Sequence, residues 1–185
     1  MRAAIMARVA LMAALTAVMA QITVPLPAVP FTMQVLAVVL SGFLLGPRYG
    51  ALAQVVYLLL GAVGLPVFAG LKGGLGILVG PTGGYLFSYP LAAAAAGLAF
   101  GAMVGAVRGR AVRSGVGFGL LGLLVIYAVG VPWLAVQLGL SLTQALVSGA
   151  LPFIPFDVAK VVLAAFLAAA VAPQISAIGV PRRSS

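Results

Sequence analysis

Long apolar runs, separated by glycine, proline and charged residues, make up most of the chain. A helix needs about twenty residues to cross the hydrocarbon core of a bilayer, and most of the runs approach that length. The pattern predicts an all-α integral membrane protein, a single domain over residues 1–185, with six transmembrane helices at Ala3–Ile22, Met33–Leu45, Ala51–Val63, Gly84–Val107, Val116–Leu138 and Phe156–Ala172. The second and third runs are short, so we expect their ends to extend into the loops or to be sheltered by neighbouring helices.

The first run has an alternative interpretation as a secretory signal peptide. Arg2 and Arg8 accompany the apolar stretch, and Val18-Met19-Ala20 before Gln21 resembles a cleavage site. We favour a helix that is retained in the mature protein, because its alanines form the regular pattern described below. N-terminal sequencing of protein purified from membranes distinguishes the two interpretations.

The composition narrows the chemistry that the chain can perform. It is 64% hydrophobic and 6% charged, with Asp157 as its single acidic residue and neither histidine nor cysteine. These counts exclude disulfide bonds, metal sites built on histidine or cysteine, catalytic triads that contain histidine, and mechanisms that need a pair of protein carboxylates. The 10 Lys and Arg residues are scattered among apolar runs, unlike the basic patch of a nucleic-acid-binding domain. We therefore expect no catalytic residue, no metal and no nucleic-acid partner.

The charges also orient the chain, because cytoplasmic loops of membrane proteins carry an excess of lysine and arginine. If the N-terminus is in the cytoplasm, the outer side has only Lys72, while Lys160 lies within the sixth run. The inner side then collects Arg2, Arg8, Arg48, Arg108, Arg110, Arg113, Arg182 and Arg183. This bias predicts cytoplasmic N and C termini in a multi-pass protein of the cytoplasmic (inner) membrane.

The three outer loops of this arrangement are long and poor in charge. Ile22–Thr32 is rich in proline, Gly64–Gly83 is rich in glycine, and Gly139–Pro155 includes a predicted short surface helix at Ser141–Ser148. Long loops in compact domains often cover functional sites. We therefore expect a ligand site that opens on the outer side.

Asp157 and Lys160 lie at the start of the sixth run, where their i, i+3 spacing puts them on one helix face. Charged residues inside a bilayer are costly and usually face the interior of a helix bundle. Two interpretations are open. Either the charges only neutralise each other, or Asp157 accepts hydrogen bonds from the N–H groups of a ligand while Lys160 faces a ligand carboxylate. The second interpretation suits a small anionic molecule with a polar N–H head.

A glycine-rich segment, Gly80-Pro81-Thr82-Gly83-Gly84-Tyr85, leads into the fourth run. Paired glycines allow the backbone to approach a ligand closely, and Tyr85 offers a flat apolar face and a hydroxyl. The same segment is also typical of a turn that caps a helix. It lacks the lysine of a phosphate-binding loop, and the sequence has no recognisable ATP-binding motif. Any coupling to ATP therefore requires other subunits.

Alanines recur in the first run at steps of four and three residues, which places them on one side of a helix. A face of small residues lets another helix approach closely, either inside the bundle or in a partner membrane protein. The alanines are Ala3, Ala7, Ala10, Ala14 and Ala17, and the fourth run has a similar series at Ala93, Gly97, Gly101 and Gly105.

Five motifs follow one another along nearly the whole chain. They are Val29-Pro30-Phe31-Thr32-Met33-Gln34, Leu44-Leu45-Gly46-Pro47-Arg48-Tyr49-Gly50, Gly64-Leu65-Pro66-Val67-Phe68, Gly80-Pro81-Thr82-Gly83-Gly84-Tyr85 and Phe153-Ile154-Pro155-Phe156-Asp157-Val158-Ala159-Lys160. Together they resemble the signatures of the BioY family, the substrate-binding (S) components of biotin transporters of the energy-coupling-factor (ECF) type. Phe156 departs from the family pattern, which often has a smaller residue such as glycine before the aspartate.

The resemblance implies a six-helix bundle that captures biotin from outside, needs no cofactor, and associates with a transmembrane coupling subunit and two ATP-binding cassette (ABC) ATPases. Biotin fits the candidate residues, because its ureido group has N–H donors and its valeryl tail ends in a carboxylate. We expect Asp157 to bind the ureido N–H groups, Lys160 the carboxylate, and Tyr85 the ring system. The reverse polarity, with Lys160 on the ureido carbonyl, stays open.

The remaining roles follow the same resemblance. Thr82, Gly83 and Gly84 are expected to supply close backbone and hydroxyl contacts. Phe31, Thr32 and Gln34, which follow the proline-rich loop, are candidates for a lid or rim. The small-residue face is expected to contact the coupling subunit through Ala3, Ala7, Ala10, Ala14 and Ala17.

Other functions are kept as alternatives. The chain could be an S component for a different vitamin, or a membrane assembly protein that binds no ligand. An intramembrane enzyme is disfavoured, because lipid transferases need several acids and rhomboid-like proteases need histidine. The sequence also leaves open whether the chain transports alone, as a homo-oligomer, or only with its partners.

Overall fold

The structure is a computed structural model that describes residues 2–177, so Arg182 and Arg183 of the charge count lie outside the described residues. A short antiparallel hairpin, in which Thr23 pairs with Thr32, accompanies a set of helices. The elements are α1 Arg2–Gln21, β1 Thr23–Val24, β2 Phe31–Thr32, α2 Gln34–Ala62, α3 Leu75–Leu78, α4 Gly83–Gly97, α5 Phe100–Gly105, α6 Arg108–Leu138, α7 Leu142–Gly149 and α8 Ile154–Ala177. The fold is mostly helical, as predicted.

Helix α2 is a hairpin of two antiparallel arms, residues 34–45 and 47–62. The chain reverses at Gly46, whose φ of 77° and ψ of 178° are not helical, and Pro47 starts the second arm. Side chains near opposite ends of α2 meet, since Gln34 Nε2 lies 2.7 Å from the Tyr57 hydroxyl. The two short runs of the sequence correspond to these arms, and neighbouring helices shelter both of them.

Four helical stretches in the described part of the chain are long and apolar enough to cross a membrane: Ala3–Gln21, Gln34–Ala62, Arg108–Leu138 and Ile154–Ala172. The predicted continuous helix Gly84–Val107 is wrong in detail, because α4 ends at Gly97 and α5 starts at Phe100. Tight backbone bonds of the i to i+3 kind, such as Ala99 N to Ala96 O at 3.1 Å, mark the break.

Two further boundaries are informative. Helix α6 begins at Arg108 rather than at Val116, because Arg108, Arg110 and Arg113 are exposed helix formers in its first turns. The predicted surface helix is confirmed as α7. A capping box starts it, in which Ser141 Oγ accepts from Gln144 N at 3.2 Å and Gln144 Oε1 accepts from Ser141 N at 2.9 Å.

Close helix packing in the core depends on small residues. A Cβ added to Gly42 in α2 would lie 2.3 Å from the Ala93 carbonyl oxygen in α4, so only glycine fits there. A Cβ on Gly97 would lie 2.5 Å from Pro47 N, next to the turn of the α2 hairpin. Ala93 and Gly97 therefore serve internal packing, whereas Gly101 is exposed.

Helix α1 packs against α2 with one side and leaves its alanines on the other. Thr16 Oγ1 accepts a hydrogen bond of 3.2 Å from Gln54 Nε2 in α2, so α1 packs as part of the helix bundle. The buried side consists of Val9, Met12, Ala13, Thr16 and Ala20. The small-residue face is outward, with Ala3, Ala7, Ala10 and Ala14 exposed and Ala17 half-buried.

Candidate functional site

A cavity of about 150 Å³ lies beneath the loop that carries β1 and β2. Its walls come from this loop, from the loop between α2 and α4, and from α4, α6 and α8. Most of the lining is aromatic or aliphatic, which is typical of small-molecule sites. The lining residues are Val29, Pro30, Phe31, Thr32, Gln34, Val35, Phe68, Ala69, Lys72, Ile77, Thr82, Tyr85, Leu86, Tyr89, Ile126, Tyr127, Gly149, Phe153, Asp157 and Lys160.

Asp157 and Lys160 form an ion pair in the wall of this cavity. Lys160 Nζ lies 2.7 Å from Asp157 Oδ1, and each residue is 5% exposed. The Tyr127 hydroxyl of α6 donates to Asp157 Oδ2 at 2.6 Å. The carboxylate is therefore held on both oxygens, yet each oxygen keeps a lone pair for another donor.

Lys160 also holds β2 against α8. Its Nζ donates to the Thr32 carbonyl oxygen at 2.6 Å and lies 3.8 Å from the centroid of the Phe31 ring. Phe31 stacks on Phe153 with ring centroids 6.3 Å apart, and meets Phe156 edge-on at 5.5 Å. The predicted rim residues Phe31 and Thr32 thus close the cavity over the ion pair, and together they form its cover.

Gln34 and Thr32 connect two loops through a buried chain of hydrogen bonds. Thr32 Oγ1 donates to Gln34 Oε1 at 2.9 Å, and Gln34 Nε2 donates to the Tyr57 hydroxyl at 2.7 Å. That hydroxyl donates in turn to the Val67 carbonyl oxygen at 3.2 Å. The carbonyl oxygen and the NH2 group of the Gln34 side chain are therefore both engaged, and they help to position Phe31 and Thr32 over the cavity.

The glycine-rich segment contributes to the cavity through Thr82 and Tyr85. The Tyr85 hydroxyl donates to the Gly149 carbonyl oxygen at 2.9 Å, and its ring lies against Gly130. Gly83 and Gly84 lie outside the cavity lining. Their expected contact with a ligand stays a prediction, and the structure gives a packing reason for both glycines, because a Cβ on Gly83 would meet the Leu78 carbonyl and one on Gly84 would lie 2.3 Å from Trp133 Cβ. These glycines serve helix packing.

Gln21 fixes the loop at residues 67–72, which forms another wall. Its Nε2 donates to the Phe68 carbonyl oxygen at 3.1 Å, and its Oε1 accepts from Leu71 N at 2.9 Å. Phe68 and Lys72 pair through their backbones, and Leu71 has a φ of 57° in the turn between them. Phe68 is buried against Tyr57, with ring centroids 5.6 Å apart. A side chain at the end of α1 therefore positions two lining residues.

The sequence interpretation missed several lining residues. Tyr89 stands one helical turn after Tyr85, so the spacing already put both on one face of α4. Tyr127 lies in the middle of an apolar run, where a hydroxyl needs a partner, and Asp157 is that partner. Phe68 ended one of the five motifs and Lys72 was noted as an outer charge, but neither was predicted to line the cavity, because only the loop geometry brings them there.

A sequence model described as the BioY family matches residues 1–177. The chain belongs to this family. The BioY motifs that carried the resemblance contribute Phe31, Thr32, Thr82, Asp157 and Lys160 to one cavity.

Curated BioY relatives cover most of the chain. The "Probable biotin transporter BioY" of Pyrococcus horikoshii is 44% identical over 168 residues, which are 91% of this chain and 96% of that protein. The "Biotin transporter BioY" of Thermotoga maritima is 46% identical over 155 residues, which are 84% and 88% of the two chains.

A solved structure has the same fold. It is the crystal structure of the S-component for biotin from an ECF-type ABC transporter, similar with a TM-score of 0.79 and 27% sequence identity over 92% of this chain and 91% of the other. The chain is accordingly a multi-pass membrane protein with an S-component-like fold.

Proposed function

We propose that this BioY chain is the substrate-binding component for biotin of an ECF-type transporter, and that it captures biotin outside the cell for uptake. The observation that carries the proposal is the Asp157–Lys160 pair in the wall of an otherwise largely apolar cavity. The relatives of this chain are named as biotin transporters, which supports the role of a transporter subunit rather than that of an enzyme.

The ion pair suits the ureido end of biotin. The 2.7 Å between Lys160 Nζ and Asp157 Oδ1 is too short for the two side chains to hold opposite ends of an extended molecule. Of the two polarities, this separation favours Asp157 on the ureido N–H groups and Lys160 on the ureido carbonyl. Lys160 has three N–H donors and uses two on Asp157 and Thr32, so one is left for the ligand.

The apolar part of the cavity suits the ring system. Phe68, Tyr89 and Ile126 present apolar surface along the lining, and Tyr85 packs beside them. Small ligands reach high affinity only when nearly all of their surface is enclosed. The cover formed by Phe31 and Thr32 supplies that enclosure.

Equilibrium binding of a vitamin panel to the detergent-purified chain tests the function. We expect biotin to bind at least about a hundredfold more tightly than vitamins without a cyclic urea, because each lost charge-assisted hydrogen bond costs roughly 1.5–3 kcal/mol. Desthiobiotin, which keeps the urea and the tail, is the matched positive control. Preference for a vitamin lacking both a urea and a carboxylate would contradict the proposal, and binding of no vitamin would favour an assembly protein.

Phe156 makes the cover of this chain tighter than a glycine at that position would. Its ring is 60% exposed and lies edge-on against Phe31. We expect Phe156→Ala to speed biotin dissociation by about two- to tenfold, because an aromatic pair contributes roughly 0.5–1.5 kcal/mol. Stopped-flow release into excess unlabelled biotin measures the rate. Phe166→Ala removes a similarly exposed ring elsewhere on α8 and should leave it unchanged; equal effects of both variants would contradict the role in the cover.

The membrane arrangement is also part of the proposal. Six crossings follow if α1, the two arms of α2, α4 with α5, α6 and α8 each traverse the bilayer. The α2 turn carries the exposed Arg48, and a Cβ on Gly46 at that turn would lie 3.5 Å from the Phe100 ring of α5. Arg48 and the arginines that open α6 thus share one end of the bundle, which supports cytoplasmic termini and an outward-facing cavity.

The outward alanine face of α1 supports docking to a membrane partner. Helix association in bilayers favours small residues that let backbones approach closely. We propose the transmembrane coupling subunit as the partner on this face, with two ABC ATPases attached to it to supply the ATP chemistry. A homo-oligomer on the same face is the alternative.

A further inference from the structure

A second cavity of about 310 Å³ adjoins the first on the outer side. One of its walls is the proline-rich loop from Pro25 to Ala28, and the other is the segment from Gly76 to Pro81. The two cavities share Pro30, Lys72, Ile77 and Thr82 in their linings. These four residues therefore define a junction between an inner and an outer space.

Lys72 is the charged residue at this junction. Its side chain is exposed, and among residues 2–177 its ammonium group makes neither a hydrogen bond nor an ion pair within the protein. Its backbone is fixed, because Phe68 N donates to Lys72 O at 2.9 Å and Gln21 holds the same loop. A free cation on a fixed backbone at the mouth of a ligand cavity is suited to an anionic group.

Lys160 is poorly placed to bind the anionic group of a ligand. Its ammonium group already donates to Asp157 and to the Thr32 carbonyl beneath the cover. If this pair binds the ureido group and the aromatic wall binds the rings, the tail of biotin extends away from α8. The junction at Lys72 is where the cavity continues.

We propose that the junction is an outer subsite in which Lys72 binds the carboxylate of the tail, and that the outer cavity admits biotin amides extended at the carboxyl end, such as biotinyl-lysine. This inference rests on the proposed function. An amide loses the ion pair with Lys72 but keeps the ureido and ring contacts, so it remains a ligand. The group beyond the amide bond then occupies the outer cavity.

Isothermal titration of the detergent-purified chain with biotin and biotinamide tests the subsite. We expect the wild type to bind biotin about five- to tenfold more tightly than biotinamide. This ratio lies between the contribution of an exposed ion pair to affinity and that of a buried one. Lys72→Gln should bind both ligands equally, and Lys72→Arg should restore the preference. Arg48→Gln removes an exposed cation at the opposite end of the bundle and should keep it.

The outcomes separate this inference from the proposed function. If the wild type binds biotin tightly but Lys72→Gln keeps the preference for biotin over biotinamide, or weakens both ligands equally, the subsite is overturned and the proposed function stays intact. Biotinyl-lysine should bind within about threefold of biotinamide, because the added lysine makes few further contacts in an open space. Loss of biotinyl-lysine binding alone overturns the extension to amides. A wild type that binds no biotin overturns both proposals.

Discussion

Asp157→Asn is expected to weaken biotin binding by about ten- to a hundredfold, because a hydrogen bond to a charged acceptor contributes roughly 1.5–3 kcal/mol. Asparagine has nearly the same shape and can still accept from the Tyr127 hydroxyl, which lies 2.6 Å from Asp157 Oδ2. What disappears is the negative charge opposite the ureido N–H groups. Isothermal titration with purified protein measures the loss.

A second variant separates ligand binding from ion pairing. Asp157→Asn leaves Lys160 buried without its counter-ion, and breaking a buried pair costs about 3–5 kcal/mol of stability. Adding Lys160→Met removes that unpaired charge, and thermal unfolding of the variants reports their stability. We expect the double variant to recover stability and to bind biotin no better than Asp157→Asn. Recovery of biotin affinity would mean that the charges only neutralise each other.

The central pair could be predicted from the sequence because the options were so few. A chain with a single acid, placed at i, i+3 from a lysine within an apolar run, puts the two charges on one helix face, where they can pair. The turn of the α2 hairpin was also signalled, since Gly46-Pro47 interrupts two short runs. In both cases local sequence determines local geometry.

The cover of the cavity could be only partly predicted. Phe31 and Thr32 were candidates by position in a motif, but the contact of Lys160 with the Thr32 carbonyl joins residues 128 apart in sequence. The acceptor is a backbone oxygen, which every residue has, so no residue type indicates it. Tertiary packing alone creates this contact.

The glycine pair also depends on tertiary packing for its meaning. The sequence predicts that the backbone of Gly83 and Gly84 approaches a ligand, and in the structure both residues allow α4 to approach Leu78 and Trp133. A glycine pair indicates close approach without indicating what approaches. Lys72 was likewise counted only as an outer charge, because the loop closure that brings it to the cavity depends on Gln21, Phe68 and a turn at Leu71.

Ala14→Trp is expected to reduce association with the coupling subunit by about ten- to a hundredfold while biotin affinity stays unchanged, because overpacking a close contact typically costs 1–3 kcal/mol. Ala14 is exposed in the middle of the small-residue face, and the opposite side of α1 makes the contacts with α2. The bulky ring therefore meets nothing inside this chain. Co-purification of the tagged chain with the coupling subunit, calibrated by titration in nanodiscs, measures the loss.

Leu124→Trp is the matched control for this prediction. Leu124 is 63% exposed on α6, so the substitution adds the same ring to a different outward face. If the docking face is specific, Leu124→Trp associates with the coupling subunit as tightly as the wild type does. Ala10→Trp, one turn from Ala14 on α1, should instead lose association as Ala14→Trp does. Equal retention of the partner by all three variants would place the docking face elsewhere. Loss of biotin binding in Ala14→Trp would instead mean that α1 supports the cavity through its contact with α2, since Gln21 at its end holds the loop of Phe68.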